Sequence, residues 1–190
     1  MFRRIFGSNN ERAADQAEGA LTSSPTTAGD TATVRRIVAR LEEMPAERAR
    51  FIASAAYTLA RAANADQDIS PEETTEIERA LQANGAVDEA TAVLVTEMAK
   101  LQARTVGGTE DYVVTREFRN LASESQRLDI LRACFAIGAA SGMISAEENA
   151  VVNEIARELD LDPAAVNAVR SAFHERLSAV QEVRRLAGND

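Results

Sequence analysis

The chain has 190 residues and a formal net charge of −9, which is room for one domain or at most two small ones. Its single cysteine, Cys134, excludes an internal disulfide framework, and its single histidine, His174, excludes metal sites that need two histidine ligands. An acidic chain is a poor general binder of nucleic acid, because that role requires positive charge to neutralise phosphates. We expect a cytoplasmic, soluble, helical protein without a membrane-spanning segment or a secretion signal.

Residues 1–30 differ in composition from the rest of the chain. Met1–Gly7 reads MFRRIFG, a short basic and aromatic patch, and the residues after it are rich in Ser, Thr, Asn, Gly and Ala. Such a segment buries too little apolar surface to offset its chain entropy, so we expect a disordered tail followed by a helical domain over residues 31–190. Met1–Gly7 also leaves open a peripheral contact with a membrane surface, although three apolar side chains bind a bilayer weakly.

Helical periodicity dominates from residue 31 onward. A first short helix is predicted over Val34–Leu41, and Pro45 separates it from a second helix that ends near Asn64. Asp88 is placed to cap a later helix, which Gly107-Gly108 breaks. On that helix we expect an inward face formed by large apolar residues, namely Val93, Leu94, Met98 and Leu101.

The second half of the chain is also predicted to be helical, with one ambiguous stretch. Residues 109–122 contain the only strand-like run, Tyr112–Thr115, and we expect a loop there that leads into a short helix around Phe118. Ser123 caps a helix that should be the most apolar and the most central. The last helix is capped at Asp162-Pro163 and should present one apolar face, formed by Val166, Val169, Phe173, Leu177 and Val180.

One short motif occurs twice. Ala65–Glu73 reads ADQDISPEE and Ala140–Glu148 reads ASGMISAEE, so that five of nine positions are identical at an offset of 75 residues. Each copy follows an apolar helix and opens another through a Ser-x-x-Glu capping box. The sequence therefore predicts an all-α fold of duplicated three-helix units, about residues 46–104 and 124–187, packed as one pseudo-symmetric multihelical domain.

The first copy places several oxygen ligands in one loop, and hard cations such as Ca²⁺ and Mg²⁺ prefer oxygen. Asp66 and Asp68 follow the spacing that opens an EF-hand loop. The EF-hand does not fit, because Pro71 stands at its glycine position and Ile77 at its final glutamate position. Helix capping explains Glu73 without a metal, and loop aspartates often only make turns, so both interpretations stay open.

The pattern Ala-Asp-x-x-Ile-Ser-x-x-Glu after an alanine-rich helix, repeated once, resembles the TerB-like family. That family includes the tellurite-resistance TerB proteins and the N-terminal domain of a membrane-anchored J-domain co-chaperone. The resemblance covers about residues 45–175. It implies an all-helical duplicated fold, no established enzymatic activity, and a role in stress response through metal chelation or partner binding.

The family pattern carries over to individual residues with two departures. Its acidic loop position matches Asp66, and its helix-start acid matches Glu73 and Glu148. The family usually has glycine after the aspartate, where this chain has Gln67, and the second copy has Ser141 in place of the aspartate. The resemblance thus implies a lopsided metal site, with Asp66 and Glu73 from one copy and Glu148 from the other. The loop spacing adds Asp68, and its oxygen ligands favour Ca²⁺ or Mg²⁺, so the candidate ligands are Asp66, Asp68, Glu73 and Glu148.

The remaining reactive side chains do not indicate catalysis. Cys134 lies on an apolar helix, where a free cysteine is expected to be buried and inert, and His174 is expected on a helix surface. We find no nucleophile motif, acid–base pair or cofactor fingerprint. We expect a non-catalytic, TerB-like stress-response binding or scaffold module with a protein partner and a weak cation site. The alternative is an adaptor of a membrane-linked stress or chaperone system that contacts the bilayer through Met1–Gly7.

Overall fold

The computed structural model describes residues 39, 42–85, 87–106 and 109–187, and within these ranges it contains no β-strand. The predicted all-α class is therefore confirmed. The chain divides into two compact units, residues 1–45 and 46–190. The α-helices described in the second unit are α1 Ala46–Ala63, α2 Pro71–Gly85, α3 Glu89–Val106, α4 Thr109–Leu121, α5 Glu124–Gly138, α6 Ala146–Glu158, α7 Pro163–Ala172 and α8 Ser178–Ala187.

Three of the predicted features fall largely or wholly outside the described residues. These are the tail of residues 1–30, most of the helix Val34–Leu41, and the break at Gly107-Gly108. They remain predictions.

Local capping signals determine where the later helices begin. Before α5, the Ser123 amide donates to Gln126 Oε1 at 2.8 Å and the Gln126 amide donates to Ser123 Oγ at 3.3 Å. Before α3, Asp88 accepts a hydrogen bond from the Thr91 amide at 2.9 Å, and Asp162 caps α7 in the same way. Each side chain satisfies an amide that has no partner within its helix, and the predicted helix starts are confirmed.

Helix α1 is enclosed by its neighbours, since α2, α3, α4, α5 and α6 all pack against it. Every residue of the run Ser54–Ala63 is buried, and five of these ten are alanines. Small side chains on several faces let the surrounding helices approach closely. Helix α5, predicted to be the most central, packs against α1, α2, α6 and α7, so α1 and α5 together form the centre.

The predicted inward face of α3 is wrong. Val93 is 41% exposed and Leu101 is 61% exposed, while Leu94 and Met98 are only partly buried. Because the alanines of α1 let α3 approach closely, only small side chains of α3 fit at the contact. The larger side chains of α3 face away from α1. The buried face of α3 accordingly consists of Thr91, Ala92, Thr96, Ala99 and Ala103.

The predicted loop in residues 109–122 is also wrong, because this whole stretch except its last residue belongs to α4. Thr115 and Phe118, three positions apart, are fully buried, whereas Tyr112 and Val113 are more than half exposed. Phe118 lies with its ring centroid 5.2 Å from that of Phe51 on α1. Packing against α1 therefore overrides the local preference of this β-branched run for a strand.

The predicted last helix is broken in two. Helix α7 ends at Ala172 and α8 begins at Ser178, with a short 3-10 turn and the extended residue Leu177 between them. Residues 173–178, which include the first residue of α8, are here called the strap. The Ile144 amide donates to the Arg176 carbonyl at 2.7 Å, and the Ser178 amide donates to the Ile144 carbonyl at 2.9 Å. This backbone pairing compensates for helical hydrogen bonds lost at the break, and no local sequence signal announces it.

The second helix of each predicted unit packs on both central helices. Helix α2 contacts α5 as well as α1, and α6 contacts α1 as well as α5. The loops that lead into α2 and α6 are the two copies of the repeated sequence, the first motif Ala65–Glu73 and the second motif Ala140–Glu148. The 3-10 turn Asn64–Asp66 also contacts α6. The superposition of residues 74–83 on 149–158 stays a prediction.

A buried polar network ties α1 to α4 and α6. Arg61 is 8% exposed and donates to the two Glu158 carboxylate oxygens at 2.6 and 3.2 Å, and to Thr115 Oγ1 at 3.2 Å. The Tyr57 hydroxyl donates to Asp111 at 2.7 Å, and burial together with this carboxylate raises the pKa of Tyr57. Sequence reasoning passed over Arg61, although a single cation within an alanine-rich apolar run was a usable signal.

Replacing Arg61 should test how far the fold depends on this network. Arg61→Ala should lower the free energy of unfolding by about 3–5 kcal/mol, because it leaves the Glu158 carboxylate buried without its partner. The double variant Arg61→Leu with Glu158→Leu should recover most of that loss, since it removes both charges. Urea unfolding measures both effects.

As a control, Arg132→Ala breaks an exposed pair with Asp129 and should cost less than about 1 kcal/mol of unfolding free energy. An equal cost for Arg61→Ala and Arg132→Ala would contradict the role of the network.

Candidate functional site

Both motifs build the same helix cap. In the first motif, the Ser70 amide donates to Glu73 Oε2 at 2.7 Å and the Glu73 amide donates to Ser70 Oγ at 3.2 Å. In the second motif, the equivalent bonds between Ser145 and Glu148 measure 2.6 and 3.1 Å. The two predicted capping boxes are confirmed, and each glutamate is held in place by its own helix start.

The two capping glutamates carry their carboxyl groups into the interior. Glu73 is 4% exposed and Glu148 is 5% exposed. Burial raises the pKa of Glu73, the hydrogen bonds from Ser70 oppose the rise, and the carboxylates of Glu148 and Asp66 add to it. The acids of the two motifs therefore lie within electrostatic range of one another, and their repulsion acts with burial to raise the pKa of Glu73.

The loop aspartates of the first motif lie on the surface. Asp66 Oδ1 accepts a hydrogen bond from the Asp68 amide at 3.0 Å, and both residues are exposed. This bond is the turn-making role that loop aspartates often have. Gln67 between them has φ 70° and ψ 10°, a left-handed conformation, which explains why the family usually has glycine there. Its counterpart Gly142 has φ 116°.

The predicted cation ligands come together only in part. Glu73 lies within electrostatic range of Glu148 and Asp66, whereas Asp68 is an exposed loop residue. Within the described ranges, no three His, Cys, Asp or Glu side chains are grouped closely enough to hold a metal ion. The four carboxylates Asp66, Asp68, Glu73 and Glu148 therefore form no ready-made coordination shell.

Two carboxamide oxygens beside the motifs were missed by sequence reasoning. Asn64 Oδ1, just before the first motif, and Asn149 Oδ1, just after the second, are buried and have no hydrogen-bond partner within the described part of the chain. Helix α6, which carries Asn149, contacts the 3-10 turn that begins at Asn64. The repeat does not mark these residues, because the equivalent positions at the 75-residue offset hold Ala139 and Thr74.

Cys134 lies buried on an apolar helix as predicted, whereas His174 is exposed as predicted but lies in the 3-10 turn and not on an α-helix. Cys134 is fully buried on α5, and burial raises the pKa of its thiol to about 12, so the thiolate is scarce at neutral pH. His174 is exposed in the strap, with its Nδ1 atom 3.6 Å from a Glu175 carboxylate oxygen. Neither side chain is part of the two motifs.

The fold and the paired motifs define a helical domain with two equivalent loops, each of which leads into a helix capped by a buried glutamate. A family model described as Tellurite resistance protein TerB matches residues 52–171, which is more than half of the chain. The protein belongs to the TerB family, and the resemblance inferred from the motif is confirmed. Neither a curated protein nor a solved structure matches the chain. Within the described residues, no helix combines the length and apolar character needed to cross a membrane.

The raised pKa of Glu73 predicts a distinct pH dependence. A carboxyl whose pKa is raised on folding contributes stability that is present below its unfolded pKa and is lost as the pH rises through its folded pKa. Glu73→Gln keeps an acceptor for the Ser70 amide but cannot ionise. In chelator-treated buffer, its stability relative to the natural chain should therefore rise between about pH 4 and pH 7.

Chemical denaturation across this pH range measures the difference. Glu72→Gln is the matched control, because Glu72 lies in the same first turn of α2 but is exposed. The stability of this variant relative to the natural chain should stay nearly constant across the pH range. A Glu73→Gln advantage that shrinks as the pH rises would show that the carboxyl is not destabilised by its surroundings.

Proposed function

We propose that this TerB-family protein is a non-catalytic, tellurite-resistance-associated binding module of the stress response, and that its two acidic motifs are the working region. The buried thiol of Cys134 and the exposed position of His174 support a non-catalytic role, because neither is arranged as a nucleophile with a base. The family supports the link with tellurite resistance.

The observation that carries this proposal is the unsatisfied oxygen chemistry between the motifs. Glu73 and Glu148 are buried and repel one another, and the Asn64 and Asn149 carboxamide oxygens are buried without partners. A divalent cation such as Ca²⁺ or Mg²⁺ would relieve the repulsion and accept these oxygens as ligands. Because the carboxylates form no ready-made shell, the site has to rearrange to bind, and the affinity is low.

The proposal predicts that a cation stabilises the protein by mass action. Adding Ca²⁺ or Mg²⁺ at about ten times the dissociation constant should raise the free energy of unfolding by about 1.4 kcal/mol. Thermal unfolding of the full chain, after treatment with a chelator, measures the effect over a millimolar titration.

Matched variants show whether the motifs are responsible. Asp66→Asn with Glu73→Gln should remove the cation effect and leave the helix content unchanged, while Glu72→Gln should retain the effect. An unchanged melting curve in the natural chain at millimolar cation would remove the cation role and leave the binding-module role standing.

A second function, as an adaptor of a membrane-linked stress or chaperone system, depends on Met1–Gly7. That segment lies outside the described residues, so this alternative remains a prediction.

A further inference from the structure

The two motifs are alike as helix caps but differ in what covers their loops. In the second motif, the backbone of Ile144 pairs on both sides with the strap, through the Arg176 carbonyl at 2.7 Å and the Ser178 amide at 2.9 Å. The Arg176 guanidinium also donates to the Gly142 carbonyl at 3.1 Å. Leu177, between the two paired residues, packs against the core.

The equivalent edge of the first motif is unpaired. Ile69 occupies the position of Ile144, and its side chain is likewise buried, with 7% of the residue exposed. Neither its amide nor its carbonyl has a hydrogen-bond partner among the described residues. The backbone of Ile69 therefore keeps a donor and an acceptor that the backbone of Ile144 has already used.

The reason for the difference lies in the third helix of each unit. In the second unit the helix breaks after Ala172, which frees residues 173–178 to turn back as the strap. In the first unit, α3 does not break and continues to Val106. When the caps Asp88 and Asp162 are aligned, Leu177 corresponds to Ala103, which lies within α3. The backbone groups of α3 are used within the helix and are not free to pair with Ile69.

The charges around the two edges also differ. The first motif has Asp66 and Asp68 on either side of its turn, both exposed, and Glu72 is exposed just beyond. The covered second motif has Ser141 and Met143 at the positions of the two aspartates. Glu72 has an exposed counterpart in Glu147, so the difference is the aspartate pair alone, which is present only at the edge that has no strap and would attract a positively charged side chain there.

We propose that the Ile69 edge of the first motif binds an extended segment of a protein partner, in which an arginine, a leucine-sized apolar residue and a small residue follow one another. This proposal rests on the proposed binding role and names the chemistry of the partner. The segment pairs its backbone with Ile69 as the strap pairs with Ile144, a short form of strand addition. Its arginine lies near Asp66 and Asp68, and its apolar residue lies beside Ile69 as Leu177 lies beside Ile144 in the second motif.

The test uses the strap sequence itself as the probe. A capped peptide FHERLSAV, which copies residues 173–180, is titrated into the full-length ¹⁵N-labelled chain without added divalent cation. The expected result is a saturable shift of the Ile69 amide resonance, with hydrogen exchange at that amide slowed about tenfold or more in the complex. Because no cation is present, failure of the cation titration and failure of peptide binding are distinguishable.

Two controls separate backbone pairing from general adsorption. A peptide N-methylated at its serine loses the amide that would donate to the Ile69 carbonyl, and it should not bind. Asp66→Asn with Asp68→Asn should weaken binding of the unmodified peptide about fivefold, while Glu110→Gln with Glu124→Gln, which removes two exposed acids elsewhere, should leave it unchanged.

Three results would overturn the proposal. The first is the absence of any shift at Ile69, and the second is equal binding by the N-methylated peptide. The third is a set of shifts confined to Ile144 and Ser178, which would mean that the peptide only replaces the protein's own strap.

Discussion

The enclosure of α1 is the constraint on which the rest of the structure depends. Five helices pack around it, and its alanines let them approach closely. Such a helix offers no surface to water over Ser54–Ala63, so its one cation in that run, Arg61, has to be neutralised inside the protein. Glu158 on α6 and the side chains of α4 meet that need, and in doing so they fix both helices against α1.

The same packing brings the two acidic motifs together. Helix α6 packs on α1 and also contacts the 3-10 turn that opens the first motif. Each motif caps its helix with a glutamate that is also buried, and the packing places Glu73 within electrostatic range of Glu148. The charged region in the interior is therefore a consequence of two ordinary helix caps, those of α2 and α6, that the packing around α1 and α5 brings close together.

Local signals in the sequence were sufficient for the starts of the capped helices and for the family. Ser70, Ser123, Ser145, Asp88 and Asp162 all act as caps, because a cap depends only on residues within one turn. Features set by distant contacts were not predictable in this way. The exposed Leu101 on α3 depends on the small side chains of α1, and the break at the strap depends on Ile144, about 30 residues earlier in the chain.

The candidate site shows the same division. The capping roles of Glu73 and Glu148 followed from spacing, but the partnerless oxygens of Asn64 and Asn149 follow only from burial, and no spacing rule marks them. The sequence showed part of the difference between the motifs, because the second motif has Ser141 at the position where the first has Asp66. That the second motif is covered by the strap while the first is not could be learned only from the fold.

The central claim is that two motifs of equal construction are unequally covered, and native-state hydrogen exchange of the full chain tests it most directly. The Ile144 and Ser178 amides should exchange slowly, because each donates a hydrogen bond in the pairing between the second motif and the strap. The Ile69 amide, which has no partner within the described residues, should exchange about a hundredfold faster or more than that of Ile144. Equal protection of Ile69 and Ile144 would contradict the account, because it would mean that the first motif is already covered.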